Sequence, residues 1–545
     1  MARQFTFGKK LKSESWLKGE KLEWYYFCLL LIGAIILFGF NLGELPLRDW
    51  DEGIVSQVAI SIWKSPDNIN SWLYPQIQEQ PYLNKPPLIH WSIALTYLCF
   101  GVSEWSSRLI PAIITALSIP LLYAIAREVF PKRRTAILAA LIYLTFLPTV
   151  RHGRLAMLDG ATITFFLLSI FCLLRAYKSP KMSLGTGLAW AAICLTKGIM
   201  MGILLAGILI VFLLWDNRKI LNSKYFWTGI ILGLIPVLVW YGFQYYKYGQ
   251  TFIEVNFISQ SFKRIWQPVD NRIGPFWYYL LEIIKYTWPW LIFCPGGIKN
   301  TFKNPQTTAS KLILVWLGIY LLAITLMSTK LPWYVLPVYP ALALLIGKNI
   351  DIIWEKNQKI KYPIHWSVML AAIALLIWIA GIYLSFGIFN PAQEPSLTPV
   401  FISLGLTVTI AAILTTIKLP HFSVVLIAGL YVSFLLFFNS KIWIWELGEA
   451  YPVKPVAAIV ASETPPGQTV YTSYPYNRPS LNFYSDRQVI PVELEGLKSY
   501  WQQNETPYFL METTTIKNLQ LENVKILKTA RGWGIITKKS NSINK

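Results

Sequence analysis

The sequence predicts an all-α polytopic membrane protein of about thirteen transmembrane helices, with a small α/β domain at its C-terminal end. Three observations predict this. The 545 residues are 54% hydrophobic and only 14% charged, with a mean hydropathy of +0.44, far from an ordinary soluble domain. Apolar runs near twenty residues recur, the length that crosses a ~30 Å hydrocarbon core. The net charge of +21 gathers in alternate loops, which reads as cytoplasmic loop enrichment and argues against a nucleic-acid partner.

The first apolar run, Trp24 to Phe40, follows a basic segment bearing Arg3, Lys9, Lys10, Lys12, Lys18 and Lys21. It lacks a small-residue cleavage site, so it reads as a retained span and not as a removed signal peptide. A long outer loop at 41–108 comes next. Within it, 54–63 is apolar on one face, and 89–100 is too short for a comfortable span. Both are expected at the membrane surface. The remaining apolar runs are 109–127, 135–150, 157–175, 184–196, 199–215, 225–246, 276–296, 311–328, 331–348, 365–388, 399–417 and 422–440.

Starting from a cytoplasmic N-terminus, one side collects Arg127 with Lys132, Arg133 and Arg134, then Arg175, Lys178 and Lys181, then Arg218, Lys219 and Lys224. It goes on to collect Lys299 and Lys303, then Lys348, Lys356, Lys359 and Lys361, then Lys418. Counting 89–100 as a span would throw Lys132 to Arg134 outside and break the pattern.

The domains are therefore read as 1–440 in the membrane and 441–545 as an outer α/β domain. The composition changes at about Tyr451. Gln468 to Ser473, Gln488 to Val492, Tyr508 to Glu512 and Val524 to Thr529 read as strands, and Leu494 to Gln503 as a helix. The five cysteines, Cys28, Cys99, Cys172, Cys194 and Cys294, all lie in apolar stretches and read as small core hydrophobes. The four histidines are scattered, and no residue is assigned as a metal ligand.

This topology brings polar residues from distant segments to the outer side. They are Asp51 and Glu52, then Asn84 and Lys85, then Arg151, Arg154 and Asp159, then Lys197, Arg264, Arg272, Lys330 and Tyr334. Asp51 and Glu52 can serve as general base or charge stabiliser, or be solvated acids at a helix end. Lys85 precedes Pro86-Pro87, which fixes a cation at a rigid turn suited to phosphate; the plain alternative is an interfacial lysine. Lys330 and Tyr334 in Lys330-Leu331-Pro332-Trp333-Tyr334 can neutralise and hydrogen-bond a phosphate, or serve as an aromatic belt with its anchor. Arg272 stands before Pro275-Phe276-Trp277-Tyr278-Tyr279, and Arg154 and Asp159 are expected to pair with each other.

Taken in order, Asp51-Glu52, Tyr82-Leu83-Asn84-Lys85-Pro86-Pro87-Leu88, Val102-Ser103-Glu104-Trp105-Ser106-Ser107-Arg108-Leu109, Leu195-Thr196-Lys197-Gly198, Pro275-Phe276-Trp277-Tyr278-Tyr279 and Lys330-Leu331-Pro332-Trp333-Tyr334-Val335-Leu336-Pro337 make a pattern. Over about 45–350 the chain resembles the membrane glycosyltransferases of the GT-C fold, in particular the aminoarabinose transferase and protein O-mannosyltransferase relatives. The resemblance implies transfer of a sugar from a polyprenyl-phosphate donor, with inversion, on the periplasmic face of a bacterial inner membrane.

It implies Asp51 as the catalytic acid–base group with Glu52 beside it, and Lys85, Arg272 and Tyr334 on the lipid phosphate. Lys330, Tyr82, Arg154, Asp159, Lys197 and Arg48 complete the expected substrate site. Asn84 stands where lipid A-modifying members have Glu, and Asp270 and Asn271 stand where they have a histidine, which leaves the sugar and the acceptor open. The expected partners are the donor, a glycolipid or protein acceptor and membrane lipid, with a monomeric chain. No cofactor is assigned, and a divalent metal is left open. A transporter or flippase is the competing class; it predicts polar residues at mid-depth and internal repeats, which the sequence does not show.

Overall fold

The computed structural model describes residues 5–268, 272–355, 362–386, 395–444, 452–519 and 521–539, with side chains from residue 21 onward. Arg3, Lys356, Lys359, Lys361, Asp270, Asn271, Tyr451 and the last two residues of the run 365–388 lie outside the described residues, as do the side chains of Lys9, Lys10, Lys12 and Lys18. The chain forms two compact units, one of Met1–Leu42, Leu83–Ile89 and Leu109–Trp443, the other of Gly43–Tyr82, His90–Arg108 and Ile444–Lys545.

The first unit is a helical membrane body. Among the described residues eight helices are long and apolar enough to cross a bilayer, from Lys21–Gly39 to Pro395–Thr416. They account for eight of the thirteen runs expected from the sequence. The run 135–150 forms a bent pair, Arg133–Leu144 and Leu147–Gly153, at 62°. The bend has a local cause: Phe146 is extended, and Pro148 sits in the first turn of the second helix, where its missing N–H costs nothing.

Three further runs form the shorter helices Asp159–Arg175, Ser183–Lys197 and Phe422–Phe438. The run 276–296 is broken into Tyr278–Tyr286, a 3₁₀ turn Trp290–Phe293 and a helix from Cys294 to Lys303; Pro289 and Pro295 interrupt the i→i−4 ladder there. In the other direction, the run 225–246 extends beyond its expected end. The helix Lys224–Phe252 kinks at Gly249 (φ 53°, ψ −132°) and continues as a π-helix, Ile253–Phe262, and a last turn, Lys263–Trp266.

The core of this unit holds whole aromatic rings, Trp290, Trp316 and Trp443 among them, and two arginines, Arg151 and Arg154. Arg154 has a structural task. Its Nη1 donates to the carbonyls of Leu37 (2.7 Å) and Phe38 (3.1 Å), and its Nη2 to that of Phe40, at the C-terminal end of the first span. Its guanidinium lies 4.1 Å from the Phe438 ring centroid and 4.8 Å from that of Trp443. The last carbonyls of a helix have no partner within it, and here an arginine supplies one. The expected Arg154–Asp159 pair does not form, because Asp159 is paired with Lys197. Of the cysteines, Cys172, Cys194 and Cys294 are core residues as expected, whereas Cys28 and Cys99 face outward from their apolar helices.

The second unit opens with the helix Asp51–Trp63, a short helix Ile69–Leu73, and a two-residue hairpin of β1 (Gln76–Ile77) and β2 (Gln80–Pro81). The helix Leu88–Phe100 is 13 residues long, as short as expected. The C-terminal part is a five-stranded mixed sheet of β3 (Thr469–Thr472), β4 (Gln488–Pro491), β5 (Phe509–Glu512), β6 (Val524–Ala530) and β7 (Trp533–Lys538). Its order is β4-β3-β5-β7-β6, with β3 parallel to β4 and β5, and β7 antiparallel to β5 and β6.

One face packs on the helix Val453–Glu463 through Val456, Ala457, Val460, Val470 and Ile535; the other carries Leu497, Trp501, Phe509 and Met511. The four expected strands and the helix Leu494–Gln503 are present. β7 was not expected, although its hairpin is written in Arg531-Gly532, both at positive φ (51° and 84°), as a two-residue hairpin turn matching the strand twist requires.

Candidate functional site

Two groups of sequence-predicted residues are found, one in each unit. In the second unit the helix Asp51–Trp63 opens with two acids in its first turn, where the exposed N–H groups favour negative charge. The two acids have different surroundings. Glu52 is fully buried. Its Oε1 accepts from Arg108 Nε at 2.7 Å, and its Oε2 accepts from Arg108 Nη2 at 2.7 Å and from the Arg48 backbone N–H at 3.0 Å.

Arg108 is itself fully buried and also donates to the carbonyls of Leu45 (2.8 Å) and Pro46 (2.9 Å). Two separate motifs of the sequence thus meet as one bidentate ion pair. Asp51 instead keeps a quarter of its side chain exposed, with Oδ2 3.4 Å from Arg48 Nη2. The Arg48 guanidinium is buried. Tyr82 is buried with its ring edge-to-face on His90 at 5.3 Å.

In the first unit Lys85 stands on the rigid turn Leu83 to Leu88. The Leu83 carbonyl accepts from Asn256 Nδ2 at 2.9 Å, which ties that turn to the π-helix. Lys85 lies in the field of Arg264, Lys197 and Asp159. Burial is the largest influence on its ammonium, and the two neighbouring cations act in the same direction. Together they push its pKa down to about 7, against a smaller opposing pull from Asp159.

Lys197, the last residue of its helix, is mostly buried, with Nζ 2.7 Å from Asp159 Oδ2. The helix stops there because Gly198 adopts φ 107°, ψ 163°, a conformation open to glycine alone. Arg264 Nη1 donates to the Tyr334 hydroxyl at 3.2 Å and Nη2 to Gln260 at 2.8 Å, and the Tyr334 carbonyl accepts from the Tyr320 hydroxyl at 3.0 Å. Three cations, one carboxylate and a phenol hydroxyl therefore share a region, an arrangement suited to an anion with more than one negative charge.

Lys330 and Arg272 are placed differently. Lys330 is buried, and its Nζ donates to the carbonyls of Thr325 (2.7 Å) and Ile324 (3.2 Å) at the end of the helix Thr308–Leu326, with the Tyr279 ring 5.3 Å away. Burial lowers its pKa. The Arg272 carbonyl accepts from the Lys330 backbone N–H at 3.0 Å, and the Arg272 side chain is half-buried. Among the described residues no cluster of three or more His, Cys, Asp or Glu forms a metal site. Sequence reasoning noticed Arg264 and gave it no role. It missed Arg108 and Asn256; the recurrence of Arg108 in an ordered motif was the one available signal.

Residues 84–241 match the family described as dolichyl-phosphate-mannose-protein mannosyltransferase. The undecaprenyl phosphate-alpha-4-amino-4-deoxy-L-arabinose arabinosyl transferase 1 of Pseudomonas fluorescens is 26% identical over 59% of this chain and 59% of its own length. The corresponding transferase of Shewanella sediminis is 24% identical over 60% of each chain. The chain thus matches about six tenths of the length of these relatives.

The crystal structure of ArnT from Cupriavidus metallidurans bound to undecaprenyl phosphate superposes with a TM-score of 0.76 at 18% identity, covering 94% of this chain and 98% of that one. The archaeal oligosaccharyltransferase AglB from Archaeoglobus fulgidus gives 0.51 at 12% identity, covering 91% and 70%. The chain is a multi-span membrane protein with the GT-C fold of the polyprenyl-phosphate-sugar glycosyltransferases, carrying a small C-terminal sheet. Within that fold it is similar to the aminoarabinose transferases and, over 84–241, to the protein mannosyltransferases. None of the relatives named here is a transporter.

Proposed function

We propose that this chain is a membrane glycosyltransferase that moves a sugar from a polyprenyl-phosphate donor to an envelope acceptor, a lipid A-like glycolipid or a protein. It works on the periplasmic face of a bacterial inner membrane, with 1–440 as the membrane domain and 441–545 as a periplasmic domain. The observation that carries this reading is the cation group of Lys85, Lys197 and Arg264 with the Tyr334 hydroxyl.

The proposed chemistry assigns the proton transfer to Asp51 and the leaving phosphate to those groups. An acceptor oxygen attacks the anomeric carbon of the sugar and gives its proton to the Asp51 carboxylate. The bond from that carbon to the phosphate oxygen breaks with inversion, and the lipid phosphate leaves with one more negative charge. Lys85, Arg264 and the Tyr334 hydroxyl stabilise that growing charge without having to reorganise, and Arg272 serves the same phosphate. Lys197, neutralised by Asp159, holds the edge of the group.

Glu52, with both oxygens occupied by Arg108 and the Arg48 backbone, is a positioning residue for the turn that carries Asp51. Lys330, with its ammonium on two carbonyls, supports the Tyr334 turn. The test is Asp51→Asn in reconstituted vesicles with a labelled polyprenyl-phosphate sugar. Transfer is expected to fall by at least about 100-fold, and transfer at the parent rate overturns the reading.

A further inference from the structure

Asp51 follows a strained turn. Trp50 has φ 56° and ψ −60°, and the Asp51 N–H donates back to the Asp49 carbonyl at 2.6 Å. This is a γ-turn of the positive-φ kind, rare because the side chain crowds the backbone. A tryptophan gains nothing from that conformation by itself; a non-glycine residue stays there only where its surroundings over-determine it.

The surroundings are supplied by Asn477 to Ser480, a stretch of the C-terminal tail more than 400 residues along the same chain. The Trp50 indole Nε1 donates to the Asn477 carbonyl at 3.1 Å. The Asp49 carboxylate accepts from Arg478 Nη1 at 2.6 Å, from the Ser480 backbone N–H at 3.2 Å and from the Ser480 hydroxyl. Arg478 is in turn stacked on Tyr474, 3.9 Å from the ring centroid, and both Asp49 and Arg478 are almost fully buried. A second observation is independent of these bonds. A Cβ on Gly53 would lie 2.7 Å from the Ser480 nitrogen and 3.1 Å from the Pro479 carbonyl carbon. The first turn of the Asp51 helix therefore touches the tail backbone, at a distance only glycine allows.

We infer that Asn477–Ser480 is a clamp that holds Asp49-Trp50-Asp51 in its strained turn, so that Asp49 and Arg478 are positioning residues for Asp51. The inference rests on the proposed role of Asp51 as proton acceptor. Released from the clamp, φ of Trp50 returns to the ordinary region near roughly −60°, a rotation that carries the Asp51 carboxylate out of its present place. The C-terminal domain is then part of the catalytic apparatus through this one segment. A clamp of this kind acts on the transition state and leaves donor binding alone, because the cations proposed for the donor phosphate are not altered.

The test uses the full chain in vesicles, with the polyprenyl-phosphate-sugar fraction extracted from cells lacking the protein and tritiated in the sugar. Arg478→Gln should lower kcat about 100-fold, the scale of a misplacement near 1 Å, with donor KM within twofold. Arg478→Lys, which keeps the charge at Asp49, should recover most of the rate. A folded Arg478→Gln with the parent kcat, or a loss confined to KM, overturns the clamp.

Should Arg478→Gln fail to fold, Ser480→Ala removes only the hydroxyl contact and is read in its place, with about a tenfold loss in kcat expected and an unchanged kcat refuting. Hydrogen exchange of the peptide spanning 48–54 gives a reading without any substrate: Arg478→Gln or Ser480→Ala should speed its exchange, and unchanged exchange refutes the clamp. Asp51→Asn, assayed alongside, separates the two ideas. Transfer surviving in that variant removes the role of Asp51, whereas its loss together with an unaffected Arg478→Gln removes the clamp alone.

Discussion

Glu52 and Arg108 permit a prediction with a worked magnitude. Both side chains are wholly buried, and the pair is bidentate at 2.7 Å for each bond. Glu52→Ala leaves the guanidinium without its counter-charge, although the carbonyls of Leu45 and Pro46 still accept from it. Breaking a buried pair from one side costs about 3–5 kcal/mol, and the two remaining carbonyls place Glu52→Ala near the lower end. Arg108→Met leaves a buried carboxylate that still accepts from the Arg48 backbone N–H, and it strips the donors from Leu45 and Pro46, so it belongs near the upper end.

The double variant Glu52→Ala/Arg108→Met removes both charges together. It should cost no more than Arg108→Met alone, giving a coupling energy of at least about 3 kcal/mol. The assay is unfolding of the purified protein in mixed micelles, followed by tryptophan fluorescence across the four proteins of the cycle. Single variants within about 1 kcal/mol of the parent, the range of an exposed pair, would refute the reasoning. They would return Glu52 to the role of a group that exchanges protons with substrate.

Three further outcomes are expected. Lys85 has a pKa lowered to about 7, and a bound phosphate must raise it. Binding of undecaprenyl phosphate therefore takes up a proton above pH 7 and weakens by up to about tenfold per pH unit as pH rises from there. Titration calorimetry in two buffers of different ionisation enthalpy reads the proton uptake, which Lys85→Met should abolish. The same linkage has a sign for stability: the free protein loses stability as pH falls from the usual lysine range through about 7, because only the unfolded chain binds that proton readily. Lys330→Met should destabilise the fold by about 1–3 kcal/mol through its two orphaned carbonyls while changing donor affinity less than twofold; a selective loss of affinity, read by lipid-phosphate binding, would contradict this. Arg154→Gln should lower the yield of folded protein, measured by size-exclusion chromatography, because three carbonyls at the end of the first span lose a charged donor.

Much was legible from the local sequence pattern. Eight of the span positions, the short helix Leu88–Phe100 and four of the five C-terminal strands follow from hydrophobic period and loop charge, which neighbouring residues set together. The candidate residues Asp51, Lys85, Lys197 and Tyr334 were legible as an ordered pattern. Their partners were not. Nothing near Glu52 in sequence announces Arg108, and nothing near Asp49 announces Arg478. The expected Arg154–Asp159 pair was plausible at five residues apart, yet Lys197 took the acid and Arg154 went to a helix end.

The amino-acid order by itself determined that this chain enters a membrane, because transfer of a side chain between water and lipid depends on that side chain and its near neighbours. The tertiary structure decided which charges pair with which. A buried charge must find its counterpart wherever the chain brings one. That search runs across hundreds of residues, from Trp50 to Asn477 for one hydrogen bond alone, and no local window contains it.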